Sequence, residues 1–187
     1  METREFIKIP KERVGILIGP DGKIKASVEK ETKTRLDIDS EEGSVLILPT
    51  EETEDPLAVW KARDIVRAIG RGFSPSRAFR LLGEDELLEI VDLTLFTGKS
   101  KNTLNRVKGR IIGAGGKTRK IIEEVSGATL SIYGHTVAII GDVDQGRIAK
   151  EAIIMLIEGA PHSTVYNVLQ KKKRALKRRW ASWKTLR

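Results

Sequence analysis

The chain has 187 residues, 40% of them hydrophobic, so it is long enough for one large domain or for two small ones with separate cores. It has no cysteine, which excludes disulfides and thiolate metal sites, and no apolar stretch of the roughly eighteen residues needed to span a membrane. The net charge of +8 is concentrated at one end, where residues 171–187 contain nine cations and no acid, a pattern typical of proteins with a polyanionic partner.

The first half of the chain is predicted to form a strand, two helices, two strands and a third helix. Residues 6–9 alternate like a strand, and Pro10 begins a short helix that ends at Ile18. A glycine turn at 19–22 leads to a second helix. The remaining elements are the strands Arg35–Asp39 and Ser44–Leu48 and a helix that begins at Asp55-Pro56 and carries Val59, Trp60, Ile65, Val66 and Ile69 toward the core.

The second half repeats this order after a connecting segment, residues 70–86, that is predicted to contain a short helix near Ser76–Leu82. A second glycine turn lies at 113–116. The elements predicted around it are the strand Leu88–Leu93, the helices Thr103–Ile112 and Lys117–Ser126, the strands Thr129–Tyr133 and Thr136–Ile140, and the helix Gln145–Glu158.

The two halves are copies of one another at a constant offset of 94 residues. Residues 15–23, GILIGPDGK, align with residues 109–117, GRIIGAGGK, and share with them three glycines, one isoleucine and the lysine. The alignment continues without a gap through Leu36 and Leu130, and a two-residue deletion then brings 45–47 onto 137–139. A match of this length predicts a duplicated domain, which we divide into residues 1–83 and 84–170, followed by a basic tail at 171–187.

Each copy contains the pattern Ile-Gly-X-X-Gly-Lys between two helices, followed by two strands and a helix, and this arrangement resembles the type I KH domain. The resemblance implies an α+β fold of two tandem β-α-α-β-β-α domains with a basic C-terminal helical tail. In KH domains the GXXG loop clamps the backbone of four nucleotides of single-stranded RNA. Glycines let the sugar–phosphate chain approach closely, and the following helix offers N–H groups and a positive dipole end to a phosphate.

Other glycine motifs fit the second turn poorly. A P-loop requires a glycine five residues before Gly116, where the chain has Ile111. A dinucleotide-binding motif requires the spacing G-x-G-x-x-G directly after a strand, whereas Gly113 follows a predicted helix. The pattern therefore favours RNA binding over nucleotide binding.

The two glycine loops differ in charge. The second has the small, neutral residues Ala114 and Gly115 inside it and is surrounded by cations, whereas the first has a carboxylate at Asp21 that repels phosphate. We therefore rank the second loop as the main RNA clamp. The first is either a weaker RNA-binding loop or a structural element, and its residues are Gly19, Pro20, Asp21, Gly22 and Lys23.

The segments 109–119 and 159–166 resemble a narrower family, the archaeal form of the small-subunit ribosome assembly factor called partner of Nob or Dim-two. The resemblance covers about residues 5–170. It implies binding of small-subunit rRNA near its 3′ end, beside the site cut by the Nob endonuclease, with that enzyme and ribosomal proteins as neighbours. The implied RNA contacts are Gly113, Ala114, Gly115, Gly116 and Lys117 in the clamp, and Arg110, Ile111, Ile112, Arg119 and Lys120 in the groove or on phosphates.

The sequence predicts no catalytic set, cofactor or metal site. His135 and His162 lack metal-ligand spacing, and the acidic runs at 41–42 and 51–55 are typical of solvated loops. The alternatives to an assembly factor are a general KH adaptor in mRNA decay or translation, a protein scaffold with little RNA binding, and an enzyme. The N-terminal segment lacks the apolar region of a secretory signal, and the absence of cysteine predicts a reducing cytoplasm as the location.

The basic tail is predicted to form a helix. Leu169, Leu176, Trp180 and Trp183 are spaced so that they share one rough face of that helix. Two roles for the tryptophans are equally consistent with this spacing. They can stack on bases or pack on a ribosomal protein, or they can pack on the body of their own protein. The lysines and arginines between them are suited to phosphates.

Overall fold

The computed structural model describes residues 4–185. It forms two compact units, and the division between them follows Leu88. Both units contain the predicted order β-α-α-β-β-α, with a three-stranded sheet in each. No helix in the described part of the chain is long and apolar enough to cross a membrane.

The first unit has a central strand between two edge strands, in the order β1-β3-β2. Its elements are β1 (Glu5–Lys8), α1 (Lys11–Ile18), α2 (Lys23–Thr32), β2 (Thr34–Asp39), β3 (Ser44–Pro49) and α3 (Ala58–Gly70), followed by a short helix α4 (Pro75–Ala78) and a 3-10 turn (Phe79–Leu82). Val45 of β3 pairs with Ile7 on one side and with Ile38 on the other, both in antiparallel register. The predicted elements therefore differ from the observed ones only at their ends.

The second unit has the same sheet order, β4-β6-β5. Its elements are β4 (Leu87–Asp92), α5 (Thr94–Thr97), α6 (Lys101–Ile112), α7 (Lys117–Ser126), β5 (Thr129–Tyr133), β6 (Thr136–Gly141), α8 (Val143–Ile157) and α9 (His162–Thr185). The helix α8 begins two residues before its predicted start because Asp142 and Gln145 form a capping box, a motif that satisfies N–H groups at a helix start. The single turn α5 has no counterpart in the prediction.

The cores of the two units occupy matching positions of the repeat. In the first unit Leu17, Val28, Leu36 and Ile47 have 0–1% of their surface exposed, and their counterparts are equally buried. Those counterparts are Ile111, Ile122, Leu130 and Ile139. Fully burying an aliphatic side chain contributes about 1.5–3 kcal/mol, so the duplicated apolar positions account for two cores built on one plan.

Trp60 corrects one prediction, because its side chain is 44% exposed and does not belong to the core. The buried stripe of α3 runs through Val59, Ala62, Val66 and Ile69, at helical spacings of three and four residues. Since each residue advances the helix by about 100°, Trp60 is turned away from this stripe. Trp60 therefore belongs to the polar face of this amphipathic helix, although it follows the buried Val59 in the sequence.

The predicted tail is not a separate element. Residue 171 lies in the middle of α9, and the buried side chains of Val165 and Leu169 pack the first half of this helix into the core of the second unit. Leu176 is partly buried against the same core. The side chains of Trp180 and Trp183, for which the sequence leaves two roles open, lie outside the described residues.

Candidate nucleic-acid interface

The two glycine loops have nearly the same backbone conformation. Each is a 3-10 turn between two helices, at Pro20–Gly22 in the first unit and Ala114–Gly116 in the second. The paired φ/ψ values are 71°/176° and 74°/171° for Gly19 and Gly113, 52°/28° and 57°/23° for Asp21 and Gly115, and 72°/12° and 79°/12° for Gly22 and Gly116. The first loop therefore has the conformation of the second in spite of its aspartate.

The first glycine of each loop is required by packing inside the protein. A Cβ atom on Gly113 would lie 2.3 Å from Oγ1 and 2.7 Å from the backbone N of Thr118, and a Cβ on Gly19 would meet Ile24 at the same separation of 2.3 Å. Both glycines also have positive φ. A larger residue at Gly113 therefore meets the backbone of the next helix, and a larger residue at Gly19 has to displace the Ile24 side chain.

The other loop positions face open space. An added Cβ on Gly22, Gly115 or Gly116 would meet no heavy atom within 4 Å. All three have positive φ, which L-residues adopt at a cost of about 1–2 kcal/mol, with aspartate and asparagine the most tolerant. These positions therefore leave the main chain accessible on its outer side, where a sugar–phosphate backbone can approach it.

The helix that follows the second loop presents its positive end there. No side chain caps the first turn of α7, and that turn contains no acidic residue. The unsatisfied N–H groups at a helix start, together with the helix dipole, favour an anion at this position. Lys117 and Lys120 add two exposed cations within the first four residues of the helix.

The loops differ in their electrostatics rather than in their shape. The Asp21 carboxylate lies 3.8 Å from the Lys23 ammonium, and both side chains are largely exposed, at 87% and 75%. The aspartate thus adds a negative charge and also draws the nearest lysine toward itself. In the second loop Gly115 stands at the equivalent place, so Lys117 has no such neighbour within the loop.

The same asymmetry extends to the whole of each unit. Residues 1–88 contain 15 basic and 18 acidic residues, a net charge of −3. Residues 89–187 contain 19 basic and 8 acidic residues, a net charge of +11. A polyanion is therefore attracted to the second unit and weakly repelled by the first.

Two of the sequence-predicted contact residues make contacts inside the protein. Ile111 has no exposed surface and belongs to the core, so it offers nothing for a nucleotide to touch. The Arg110 guanidinium donates through Nε to the Leu156 carbonyl oxygen at 3.0 Å and through Nη2 to that of Ala160 at 2.5 Å. Ile111 is therefore removed from the predicted set, and the two hydrogen bonds of Arg110 tie α6 to the end of α8.

An arginine also ties the corresponding helices of the first unit together, but it stands at a different position of the repeat. Arg13 donates to the carbonyl oxygens of Ile69 at 2.8 Å and Phe73 at 2.6 Å, at the end of α3. By the repeat alignment its counterpart would be residue 107, one turn before Arg110. Both units therefore have an arginine that bonds two carbonyl oxygens. Aligning the two copies does not reveal this, because the two arginines are not at equivalent positions of the repeat.

Of the other predicted residues, Ile112 is half-buried at the end of α6, beside the loop, and Lys120 is exposed. The Arg119 Nε lies 3.6 Å from Oε2 of Glu123, and Glu123 accepts a hydrogen bond of 2.7 Å from the backbone N–H of Leu130 in the edge strand β5. The first unit has the same set of contacts. Its Lys25 Nζ lies 3.9 Å from Oε1 of Glu29, and the Leu36 N–H donates to the same oxygen at 2.8 Å.

These glutamates are functional candidates that the motifs did not reveal. Each holds the edge strand of its sheet against the helix that follows the glycine loop, and so fixes the spacing of the surface between them. The repeat alignment does pair Glu29 with Glu123, but an aligned glutamate on a helix does not by itself indicate what it binds.

The start of α9 braces the second loop on both sides. Before the loop, the carbonyl oxygen of Arg110 accepts a hydrogen bond from Nε2 of His162 at 2.9 Å. After the loop, the hydroxyl groups of Thr118 and Tyr166 lie 2.9 Å apart and share a hydrogen bond. The rings of His162 and Tyr166 are also neighbours, with centroids 6.2 Å apart. The loop is thus held in a fixed conformation, which reduces the entropy lost when a ligand binds.

The described residues contain no group of three or more histidine or acidic side chains that could hold a metal ion. His135 is exposed in the turn between β5 and β6, and His162 is engaged with Arg110. The arrangement at the second loop is suited to binding a phosphate backbone.

Comparison with known proteins gives a family match for each unit. A model described as the eukaryotic type KH domain (KH domain type I) matches residues 87–174, and a model described as the Krr1 KH1 domain matches residues 6–85. Among curated proteins, a KH domain-containing protein of Methanocaldococcus jannaschii is 49% identical over 181 residues, which are 96% of this chain and 79% of that protein.

Two further relatives are a pre-rRNA-processing protein and a protein in a complex with rRNA. The pre-rRNA-processing protein pno1 of Schizosaccharomyces pombe is 37% identical over 127 residues, and the match spans 66% of this chain but only 52% of the yeast protein. The Dim2p chain in the crystal structure of an a/eIF2alpha–aDim2p–rRNA complex from Pyrococcus horikoshii is 58% identical, with a TM-score of 0.89, 94% of this chain covered and 96% of that one. The α+β fold of two tandem type I KH domains is thereby confirmed.

Proposed function

The chain belongs to the Dim2/Pno1 family of KH-domain proteins, and from this membership we propose that it is a ribosome assembly factor that binds single-stranded small-subunit rRNA. The pno1 relatives are pre-rRNA-processing proteins, and the Pyrococcus relative forms a complex with rRNA. We assign the binding of RNA near the 3′ end of the small-subunit rRNA to the second unit.

The observation that carries the proposal is the second glycine loop itself. It combines positive φ at Gly115 and Gly116, open space outside them, and an uncapped helix start at Lys117. Each of these features favours the close approach of a phosphate, and they coincide at one place in the unit with the higher positive charge.

Binding then proceeds as follows in this proposal. The phosphates of about four nucleotides lie against the loop and the first turn of α7, where main-chain N–H groups and Lys117 and Lys120 neutralise them. The bases turn toward the half-buried side chains of Ile112, Ile121 and Ile132. Specific bonds to the base edges come from β5, the strand at the edge of the sheet.

The first unit contributes less to RNA binding in this proposal. Its loop has the required backbone, but Asp21 and the net charge of −3 oppose a phosphate. The Nob endonuclease, ribosomal proteins and a protein related to a/eIF2alpha are candidate protein partners, the last because the Pyrococcus relative forms a complex with it. We further propose a cytoplasmic protein that binds RNA without cleaving it, so purified chain incubated with labelled RNA or ATP and a divalent metal should give no turnover.

Crosslinking with nucleotide resolution in cells tests this function directly. We expect reads at the 3′ end of the small-subunit rRNA, and we expect the double substitution Gly115→Asp with Gly116→Asp to remove them. The matched control places one added aspartate in the other loop, as Gly22→Asp, and should leave the reads in place. Reads scattered over messenger RNA would favour a general KH adaptor, and the absence of any RNA signal would favour a protein scaffold.

A further inference from the structure

The C-terminal helix α9 has one face packed on the protein and one face covered with cations. The packed face contains Val165 and Leu169, which are 0% and 1% exposed, and the partly buried Leu176. These residues are spaced four and seven apart, so they form one stripe along the helix. From Gly159 onward the sequence contains no acidic residue, so every charge on this helix is positive.

Three cations beside the stripe tie the helix to its own unit. Lys172 pairs with Glu151 at 2.5 Å and Arg179 with Asp144 at 2.5 Å, both on α8. The Lys173 ammonium donates to the carbonyl oxygen of Glu124 at 3.1 Å, at the end of α7. These contacts fix the rotation of α9 about its axis as far as residue 179.

The remaining cations project outward. We call the exposed side chains of Lys171, Arg174, Lys177 and Arg178 the outer face; none of them has an acidic partner within residues 4–185. At about 100° per residue they fall within an arc of about 120°, opposite the buried stripe, and they extend over about 10 Å of the helix. The outer face is therefore a compact, unneutralised positive surface.

This surface is unfavourable for the isolated helix. Lys171 and Arg174, Arg174 and Lys177, and Arg174 and Arg178 are like-charge neighbours at spacings of three or four residues. Each such pair destabilises a helix by about 0.2–0.5 kcal/mol, and a bound polyanion reverses the sign of that contribution. The charge complementarity thus indicates a phosphate backbone as the occupant.

The outer face also lies on an element that starts at the RNA clamp. Tyr166 touches Thr118 at the beginning of α7, and Lys173 touches Glu124 near its end, so α9 runs parallel to α7 and away from the loop. At about 1.5 Å per residue, Lys171 is about 14 Å and Arg178 about 24 Å beyond His162 along the helix axis. A strand that leaves the loop reaches the outer face within a few nucleotides.

We propose that the outer face of α9 is a second RNA-binding surface, which takes the phosphate backbone of the same strand beyond the nucleotides held by the loop. This inference rests on the proposed function. Four cations spread over about 10 Å neutralise about three phosphates, which adds about −2 to the slope of log K against log salt for single-stranded RNA.

The experiment compares two RNAs and three proteins by fluorescence anisotropy. A short RNA of about six nucleotides occupies the loop alone, and a long RNA of about twenty nucleotides contains the same sequence and extends past it. The outer-face variant carries Lys171→Gln, Arg174→Gln, Lys177→Gln and Arg178→Gln. Glutamine has nearly the same helix propensity as lysine and arginine, so α9 is preserved, and circular dichroism verifies this.

The matched control changes net charge by the same amount elsewhere. It carries Lys11→Gln, Lys30→Gln, Lys99→Gln and Lys101→Gln, four exposed lysines outside α9. We expect the outer-face variant to bind the long RNA about tenfold more weakly at low salt and the short RNA within about twofold of the unsubstituted protein. The control variant should bind both RNAs within about twofold.

Two results would overturn the inference. One is unchanged affinity of the outer-face variant for the long RNA, which would leave an acidic protein surface as the occupant of this face. The other is an equal loss of affinity for the long RNA in the control variant, which would show that only the net charge of the protein matters. Failure of the unsubstituted chain to bind the short RNA is a distinct outcome, because it contradicts the proposed function and the inference falls with it.

Discussion

Replacing Gly115 with aspartate gives the second loop the side chain that the first loop carries at Asp21. The backbone at the two positions differs by only about 5° in φ and ψ, so the substituted residue adopts a conformation that this chain already holds with an aspartate. The position is open on its outer side, so the added side chain displaces nothing. The substitution therefore adds one negative charge to the proposed phosphate site with little change in the fold.

The expected loss of RNA affinity follows from the charge. A carboxylate about 4 Å from a phosphate costs about 1 kcal/mol in water and about 4 kcal/mol at the effective dielectric of a protein surface. Because Gly115 is exposed, we take the lower part of this range, about 1–2 kcal/mol, or roughly 5–30-fold in Kd. Attraction of Lys117 toward the new carboxylate, as Asp21 attracts Lys23, adds to the loss in the same direction.

The assay is the binding of a short oligonucleotide from the 3′ end of small-subunit rRNA, followed by fluorescence anisotropy. Gly115→Asn is the matched control, since asparagine has the same size, tolerates positive φ equally well and has no charge. We expect Gly115→Asn to remain within about threefold of the unsubstituted protein. Equal losses for Asp and Asn would refute the electrostatic reasoning, and no loss for either would refute the loop as the clamp.

Raising the salt concentration should weaken binding of a short RNA with a log–log slope of about −2 to −3, as expected for three or four neutralised phosphates, and a flat response would contradict a phosphate-led mechanism. Gly113→Ala should lower the melting temperature more than Gly116→Ala, because only the first meets Thr118; equal melting temperatures would contradict this packing. Arg110→Ala should destabilise the fold by about 2 kcal/mol in urea unfolding and leave the RNA affinity of the folded protein within about threefold, whereas a large loss of affinity at unchanged stability would show that Arg110 contacts the RNA. Asp21→Gly, in a protein whose second loop is disabled by Gly115→Asp and Gly116→Asp, should restore part of the RNA binding, and no recovery would show that the first loop is limited by more than its carboxylate.

The duplicated fold is predictable from sequence because its determinants are local and occur twice. Gly19 and Gly113 end a helix in the same way, and each copy of an apolar position, such as Leu36 and Leu130, confirms the role of the other. Two weak patterns that coincide at one offset are together a strong one. The glycine loop is predictable for the same reason, because the Gly-X-X-Gly spacing occurs in both copies and reflects main-chain angles that favour glycine.

What the sequence does not predict depends on partners distant in the chain. An arginine beside a glycine loop suggests a phosphate contact, and the carbonyl oxygens that Arg110 binds are 46 and 50 residues away. Trp60 is apolar and belongs to an amphipathic helix, but burial depends on a rotation of about 100° that only the neighbouring elements fix. The helix α9 continues without a break through residue 171. The sequence hides this continuity because its composition becomes strongly basic at that point, which suggests a separate tail.

Nuclear magnetic resonance during titration with the short RNA shows whether the second glycine loop holds the RNA backbone, since it observes each main-chain amide. We expect the largest changes in chemical shift at the amides of residues 113–118, smaller ones along β5, and much smaller ones at the amides of 19–23. Large changes in the first loop, or in neither loop, while the amides of Gly115, Gly116 and Lys117 stay in place, would contradict this expectation.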